Sequence, residues 1–176
     1  MENTTTPVAV TPSAVAIRYG LLTGLVSVIF SFLQLSLIDD PETPLRWLSL
    51  VILAVGIWLA HKQFKQLNNG FMSYGQGVST GTILAIVSGV IGGVFSYIYF
   101  TFIDPTYMQR VMDLTRSRME EKGMDDAQVD QAMAMAEKFS GPIATTIFAV
   151  LGALLIGFII SLVISAITKH ARPEFE

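Results

Sequence analysis

Four apolar segments constrain this chain more than any other feature. Tyr19–Ile38, Val78–Ile103 and Ile143–Thr168 carry no Asp, Glu, Lys or Arg, and Leu45–Ala60 carries only Arg46, in its first turn. A membrane-spanning helix needs about 20 mostly apolar residues. The first, third and fourth segments meet that length. The second reaches it if it runs to Phe64 and Lys62 snorkels to the surface. A soluble all-α domain would need charged outer faces on these helices, and the segments offer none. The 14% charged residues fall well below the roughly 25% of soluble domains.

The expected fold class is therefore all-α: an integral membrane four-helix bundle. Membrane helices are expected over residues 19–38, 45–64, 77–103 and 142–168. The third and fourth are separated by an extramembrane amphipathic helical hairpin over residues 105–140. The domain reading is a disordered leader at 1–15, rich in Thr, Pro, Ala and Val, a single membrane domain at 16–169, and a tail at 170–176. A cleaved signal peptide is not expected, because the only early cation is Arg18 and no small-residue cleavage site follows the apolar stretch. Asp-Asp-Pro-Glu-Thr-Pro makes a short turn that sets the first two helices antiparallel. Asn68-Asn69-Gly70 stops the second helix, and the third returns antiparallel to it.

The third apolar segment contains an unusual stripe. Gly77, Gly81, Ala85, Gly89 and Gly93 recur every fourth residue. Glycine costs about 1 kcal/mol in a soluble helix interior, so the stripe calls for a compensating contact. The fourth segment has a counterpart in Thr145, Ala149, Ala153, Gly157, Ser161 and Ser165. In lipid, helices associate through close packing along small residues. The two stripes are expected to form a helix-packing seam, within one chain or between two copies. A glycine-lined path for a substrate is the functional alternative.

The insert between the third and fourth helices reads as two short helices. Asp104-Pro105 looks like an N-cap followed by a first-turn proline. Gly123 ends the first helix, and Asp125 or Asp126 caps the second. Six of the eight methionines lie here. Methionine surfaces adapt to varied partners, so Met108, Met112, Met119 and Met133 form a candidate partner surface. The same face could instead pack on the membrane helices or in the headgroup region.

Chemistry is sparse. With no cysteine and only two histidines, the sequence offers no zinc-site pattern, and no nucleophile–base pair or phosphate loop is present. The cores of all four spans read as free of ionisable residues, where proton relays and ion channels usually place them. Asp39, Asp40, Glu42 and Asp104 fall near one membrane surface and could hold Mg²⁺ or Ca²⁺, but they read first as loop solubilisers and a cap. No catalytic, cofactor-binding or metal-binding residue is assigned, and no cofactor is expected. A net charge of −3 without a basic run gives no footprint for nucleic acid.

If both termini are cytoplasmic, Arg18, Lys62, Lys65, Lys169 and Arg172 lie inside, all near helix ends. The hairpin outside then carries five cations of its own, among eight acids. The cations nearest the membrane favour cytoplasmic termini.

NNGFMSYGQGVSTG, the glycine-rich helix, YIYFTFIDP and EEKGMDDAQVDQAMAMAEKF together resemble a membrane family catalogued as domain of unknown function number 4199. The resemblance runs from Ala16 to Lys169 and is most specific at Asn69-Gly70-Phe71, Tyr74-Gly75 and Ile103-Asp104-Pro105. It implies a small four-helix protein of the bacterial inner membrane, found mainly in Bacteroidota, and it supplies no functional residues. The expected function is a non-catalytic interaction or assembly subunit whose contacts are the lipid bilayer and a homodimer or membrane-protein partner. The alternatives are a carrier for a lipid or small apolar molecule, and a metal-assisted membrane enzyme using the acidic cluster.

Overall fold

The computed structural model describes residues 11–38 and 44–172. Its helices are α1 (Pro12–Leu37), α2 (Arg46–Leu67), α3 (Tyr74–Ile98), α4 (Tyr107–Glu121), α5 (Asp126–Glu137) and α6 (Pro142–Thr168). A π-helical turn, Tyr99–Ile103, extends α3. The helices α1, α2, α3 with its π turn, and α6 are long and apolar enough to cross a membrane. No strand occurs among the described residues, so the fold is an all-α membrane bundle.

Several boundaries differ from the sequence reading. Helix α1 begins at Pro12, where a proline at the first turn loses no hydrogen bond. The disordered leader expected over 1–15 is thus corrected at Pro12–Val15, and Val15 is buried. Residues 1–10 lie outside the described residues. The tail expected from residue 170 is also tied down at its start. His170 N donates to Met72 O and Met72 N donates to His170 O, both at 2.8 Å.

Helix α3 is the centre of the bundle, packing most extensively on α6 and α1 and much less on α2. The sequence reading expects the third and fourth membrane helices to pack along their small residues, and α3 does pack on α6; the close packing of α3 on α1 is what it did not anticipate. The glycines of α1 explain this. A Cβ on Gly20 would lie 2.8 Å from Val87 Cβ, and one on Gly24 would lie 2.8 Å from Ile91 Cδ1. Helices α1 and α3 therefore run parallel in close contact. On α2, Gly56 sits against the Thr23 side chain of α1.

The tightest packing lies at the end where α1 and α3 begin. Val15, Ala16, Ile57, Ala60, Phe64, Met72 and Leu84 form its core. The α2–α3 connection closes that end. Asn69 and Gly70 have φ of 53° and 87°, which lets Gly70 N donate to Lys65 O at 2.7 Å. A capping box between Ser73 and Gln76 then starts α3. Past the middle of the bundle the packing loosens around a cavity of about 180 Å³, lined by Ser27, Ser49, Ser88, Gly92 and Ala149 among others.

Candidate functional site

The small-residue stripes of α3 and α6 face each other within one chain, antiparallel and in step. A Cβ on Gly77 would lie 2.7 Å from Ser165 Oγ. On Gly81 it would lie 2.8 Å from Ser161 Cβ, and on Gly89 3.2 Å from Ala153 Cβ. Gly157 meets the Ala85 methyl closer than van der Waals contact would allow for an added carbon. The last rung differs. A Cβ on Gly93 would lie 2.5 Å from Val150 Cγ2 and 3.4 Å from Thr146 Cγ2, while Ala149 is exposed and lines the cavity. Gly92 and Gly152, off the stripe, have open space where a Cβ would go.

The seam ends in a polar knot that sequence reasoning missed. His61 is fully buried on α2, inside a candidate span, and ties α2 to α3 and α6. Its Nε2 is 2.9 Å from Gly77 O and its Nδ1 is 2.8 Å from Thr168 Oγ1. A carbonyl only accepts, so Nε2 carries the hydrogen of that bond. The Thr168 hydroxyl also lies 2.7 Å from Ile164 O. Its single proton serves either that carbonyl or an unprotonated Nδ1. Lys65 Nζ donates to Thr168 O at 3.1 Å, and Ser165 Oγ, buried beside Gly77, has no hydrogen-bond partner. Buried polar groups are costly in lipid unless satisfied. The knot thus fixes the depth at which α2, α3 and α6 meet. The sequence reading finds no ionisable residue in the span cores; His61 sits near the end of its span, next to Lys62, and its complete burial there is what that reading did not anticipate. Its partners are 16 and 107 residues away, so no local spacing announces them.

At the other end a second polar site joins α3 to the hairpin. Asp104 accepts from Arg110 Nη2 at 2.6 Å and from Thr106 Oγ1 at 2.9 Å. The Arg110 guanidinium beside it holds the Asp104 carboxyl down at about 2, with the Thr106 hydroxyl adding to the effect. Thr106, not Asp104, stands at the N-cap of α4, and Asp104 reaches forward to Arg110 rather than capping the helix with its side chain. Tyr107 stacks on Phe100 with ring centres 5.4 Å apart, and Arg110 sits over the Tyr107 ring. The π-helical turn supplies Tyr99 and Phe100 to this cluster. The π turn is the last of the third span, and it hands the chain directly to Asp104 and the hairpin.

Beyond this joint the hairpin packs on itself. Val129 is fully buried, and a capping box between Asp125 and Gln128 starts α5. Met108, Met112, Met119 and Met133 are all partly buried. Among its exposed apolar residues are Leu114 and Met135, with Met135 at 62% exposure, while Phe139 sets its ring edge-on to Phe148 of α6, centres 5.7 Å apart. Asp39, Asp40 and Glu42 lie outside the described residues. Among the described residues, no three of His, Cys, Asp and Glu come together to hold a metal ion.

Comparison with curated proteins and with solved structures finds no match. The sequence profile described as "Protein of unknown function (DUF4199)" matches residues 18–170, nearly the whole bundle, and the chain belongs to that family.

Proposed function

We propose that this protein is a non-catalytic interaction or assembly subunit of the bacterial inner membrane that offers its hairpin to a membrane-protein partner. The observation that carries the reading is the hairpin itself. It hangs from the bundle by the Asp104–Arg110 pair, the Phe100–Tyr107 stack and the Phe139–Phe148 ring contact, and it keeps Leu114 and Met135 outward. Both termini are cytoplasmic in this reading, because Arg18, Lys62, Lys65, Lys169 and Arg172 gather at one end. The chain has no cysteine. Single cysteines at Arg172 and Met135 therefore report sidedness with a membrane-impermeant maleimide, and Met135 alone is expected to label from outside.

Photo-crosslinkers at Leu114 and Met135 in native membranes test the partner role. A discrete protein adduct, whether a second copy or another membrane protein, supports it. Capture of lipid alone overturns it.

The carrier reading draws on the cavity beside Ser88 and Gly92. At about 180 Å³ it is smaller than the roughly 300–1,000 Å³ of ligand pockets. Below it, Gly77, Gly81 and Gly157 are packed shut against the neighbouring helix.

A further inference from the structure

We propose that the groove between α1 and α2 is a binding site for one anionic phospholipid. The acyl chain would lie along the groove and the phosphate at Arg18. This site is separate from the hairpin and does not depend on the partner role.

The groove has an apolar stretch and a polar mouth that share one residue. The apolar stretch, a cavity of about 290 Å³, is walled by Leu22 and Val26 of α1 and by Val51, Val55 and Leu59 of α2, with Tyr19 at its end. Tyr19 also lines the next depression along the same helix pair, of about 180 Å³, with Arg18 and Gln63. The Tyr19 hydroxyl donates to Gln63 Oε1 at 3.5 Å across the mouth. From Val26 to Ala14 the two run about 18 Å along α1, at about 1.5 Å of rise per residue. The apolar part, from Val26 to Tyr19, covers about 10 Å of that and takes a stretch of acyl chain, and the polar mouth beyond it takes the headgroup.

The groove exists because two small residues bring the helices together on one side only. Gly56 admits the Thr23 side chain, drawing α1 and α2 close behind the groove. In front, the branched side chains of Val26, Val51 and Val55 leave their outer halves exposed. Lipid is the solvent for this surface, so an acyl chain is the natural occupant.

Charge selects the headgroup. Every charged side chain among the described residues at this end of the bundle is basic: Arg18, Lys62, Lys65, Lys169 and Arg172. Arg18 lines the mouth itself, while Lys65 is committed to Thr168 O and Lys62 lies over Trp58. A guanidinium offers paired donors to a phosphate. Basic pockets between membrane helices on the cytoplasmic side favour anionic headgroups. A zwitterionic lipid would place its own cation beside Arg18, and it would be held less tightly.

The test uses the full chain in nanodiscs of equal dioleoyl-phosphatidylglycerol and dioleoyl-phosphatidylcholine. The protein is then extracted into mild detergent, and native mass spectrometry counts the retained lipids. One retained phosphatidylglycerol per chain is expected, over phosphatidylcholine. Arg18→Gln should lower phosphatidylglycerol retention about fivefold, the worth of one cation beside an anionic lipid, and leave phosphatidylcholine unchanged. Val55→Phe should fill the groove and lower retention of both. Both positions face lipid or water, so helical content and thermal unfolding in detergent should match wild type and separate lost binding from lost fold. Equal retention of the two lipids overturns the proposal, as does an Arg18→Gln variant that keeps its preference. A Val55→Phe variant that retains phosphatidylglycerol as wild type does overturns the placement in this groove.

Discussion

Moving one methyl group across the seam tests its geometry directly. At one rung Ala85 of α3 supplies a methyl that fills the space in front of Gly157 of α6. Apart from that methyl, the nearest atoms to a Cβ on Gly157 are Ala85 Cα and Leu53 Cδ2, both at 3.6 Å, which is ordinary contact. The Ala85 methyl is thus the sole obstacle. Gly157→Ala alone overpacks the rung and should cost about 2 kcal/mol, within the range for an extra carbon in a tight core. Ala85→Gly alone leaves a methyl-sized gap, at about 1 kcal/mol. It also adds a helical glycine, at about 1 kcal/mol more. If the two were independent, the double variant would lose about 4 kcal/mol. The swap instead restores the number of methyls and of glycines, so its loss should be about 1 kcal/mol. The coupling of about 3 kcal/mol is at the top of the range for residues in contact. Reversible unfolding in mixed micelles, followed by circular dichroism over a titration of denaturing detergent, reads all four stabilities. Gly152→Ala is the control, because a Cβ there meets nothing within 4 Å. The reasoning is refuted if the swap is no better than the sum of its parts, or if Gly152→Ala is as damaging as Gly157→Ala.

Two further outcomes concern the ends of the bundle. His61→Leu should lower stability by about 1–3 kcal/mol in the same unfolding assay, since it removes the ring nitrogens that Gly77 O and the Thr168 hydroxyl pair with; a variant as stable as wild type would show the knot is inert. Asp104 ionises at about 2 in the folded chain, below its ordinary 3.8. Its stabilisation of the hairpin joint is therefore full above about pH 4 and is lost as pH falls through about 2. Amide protection along α4, followed by NMR in detergent, should hold from neutral pH to about 4 and then decline in wild type, while Asp104→Asn shows no such step. Added salt should shrink the difference, because the pair is partly exposed. A flat wild-type profile down to pH 2 would contradict the ion pair's role.

Much of the architecture was legible because its causes are local. An uncharged run of about 20 residues has few ways to satisfy its backbone in lipid other than as a helix. The turn chemistry was local too. Gly70 and Gly123 take the positive φ that ends α2 and α4, and Asp125 caps α5 through Gln128. The misreadings arose where a local pattern had a distant rival. Asp104-Pro105 has the form of an N-cap, yet Arg110, two helical turns on, offers a charge-assisted bond that a backbone N–H does not match. Pro12 looked like part of a Thr- and Pro-rich leader, but burial of Val15 and Ala16 in the core carries α1 back to it. The methionines of the hairpin share helical faces, but α4 and α5 turn much of that surface toward each other and leave Met135 outside.

The sequence by itself determined the four membrane-crossing helices, the hairpin between the last two, and the stripes of small residues every fourth position. Each depends on a residue's own chemistry and its neighbours within a few turns. Only the tertiary structure decided that Gly77 meets Ser165 and Gly157 meets Ala85 in one chain, that α1 rather than α2 lies closest along α3, and that His61 closes the seam. Lipid-exposed helices have no polar and apolar faces to dictate how they dock. Their pairing is fixed by which small residues let two backbones approach, and by which buried polar groups find a partner once they do.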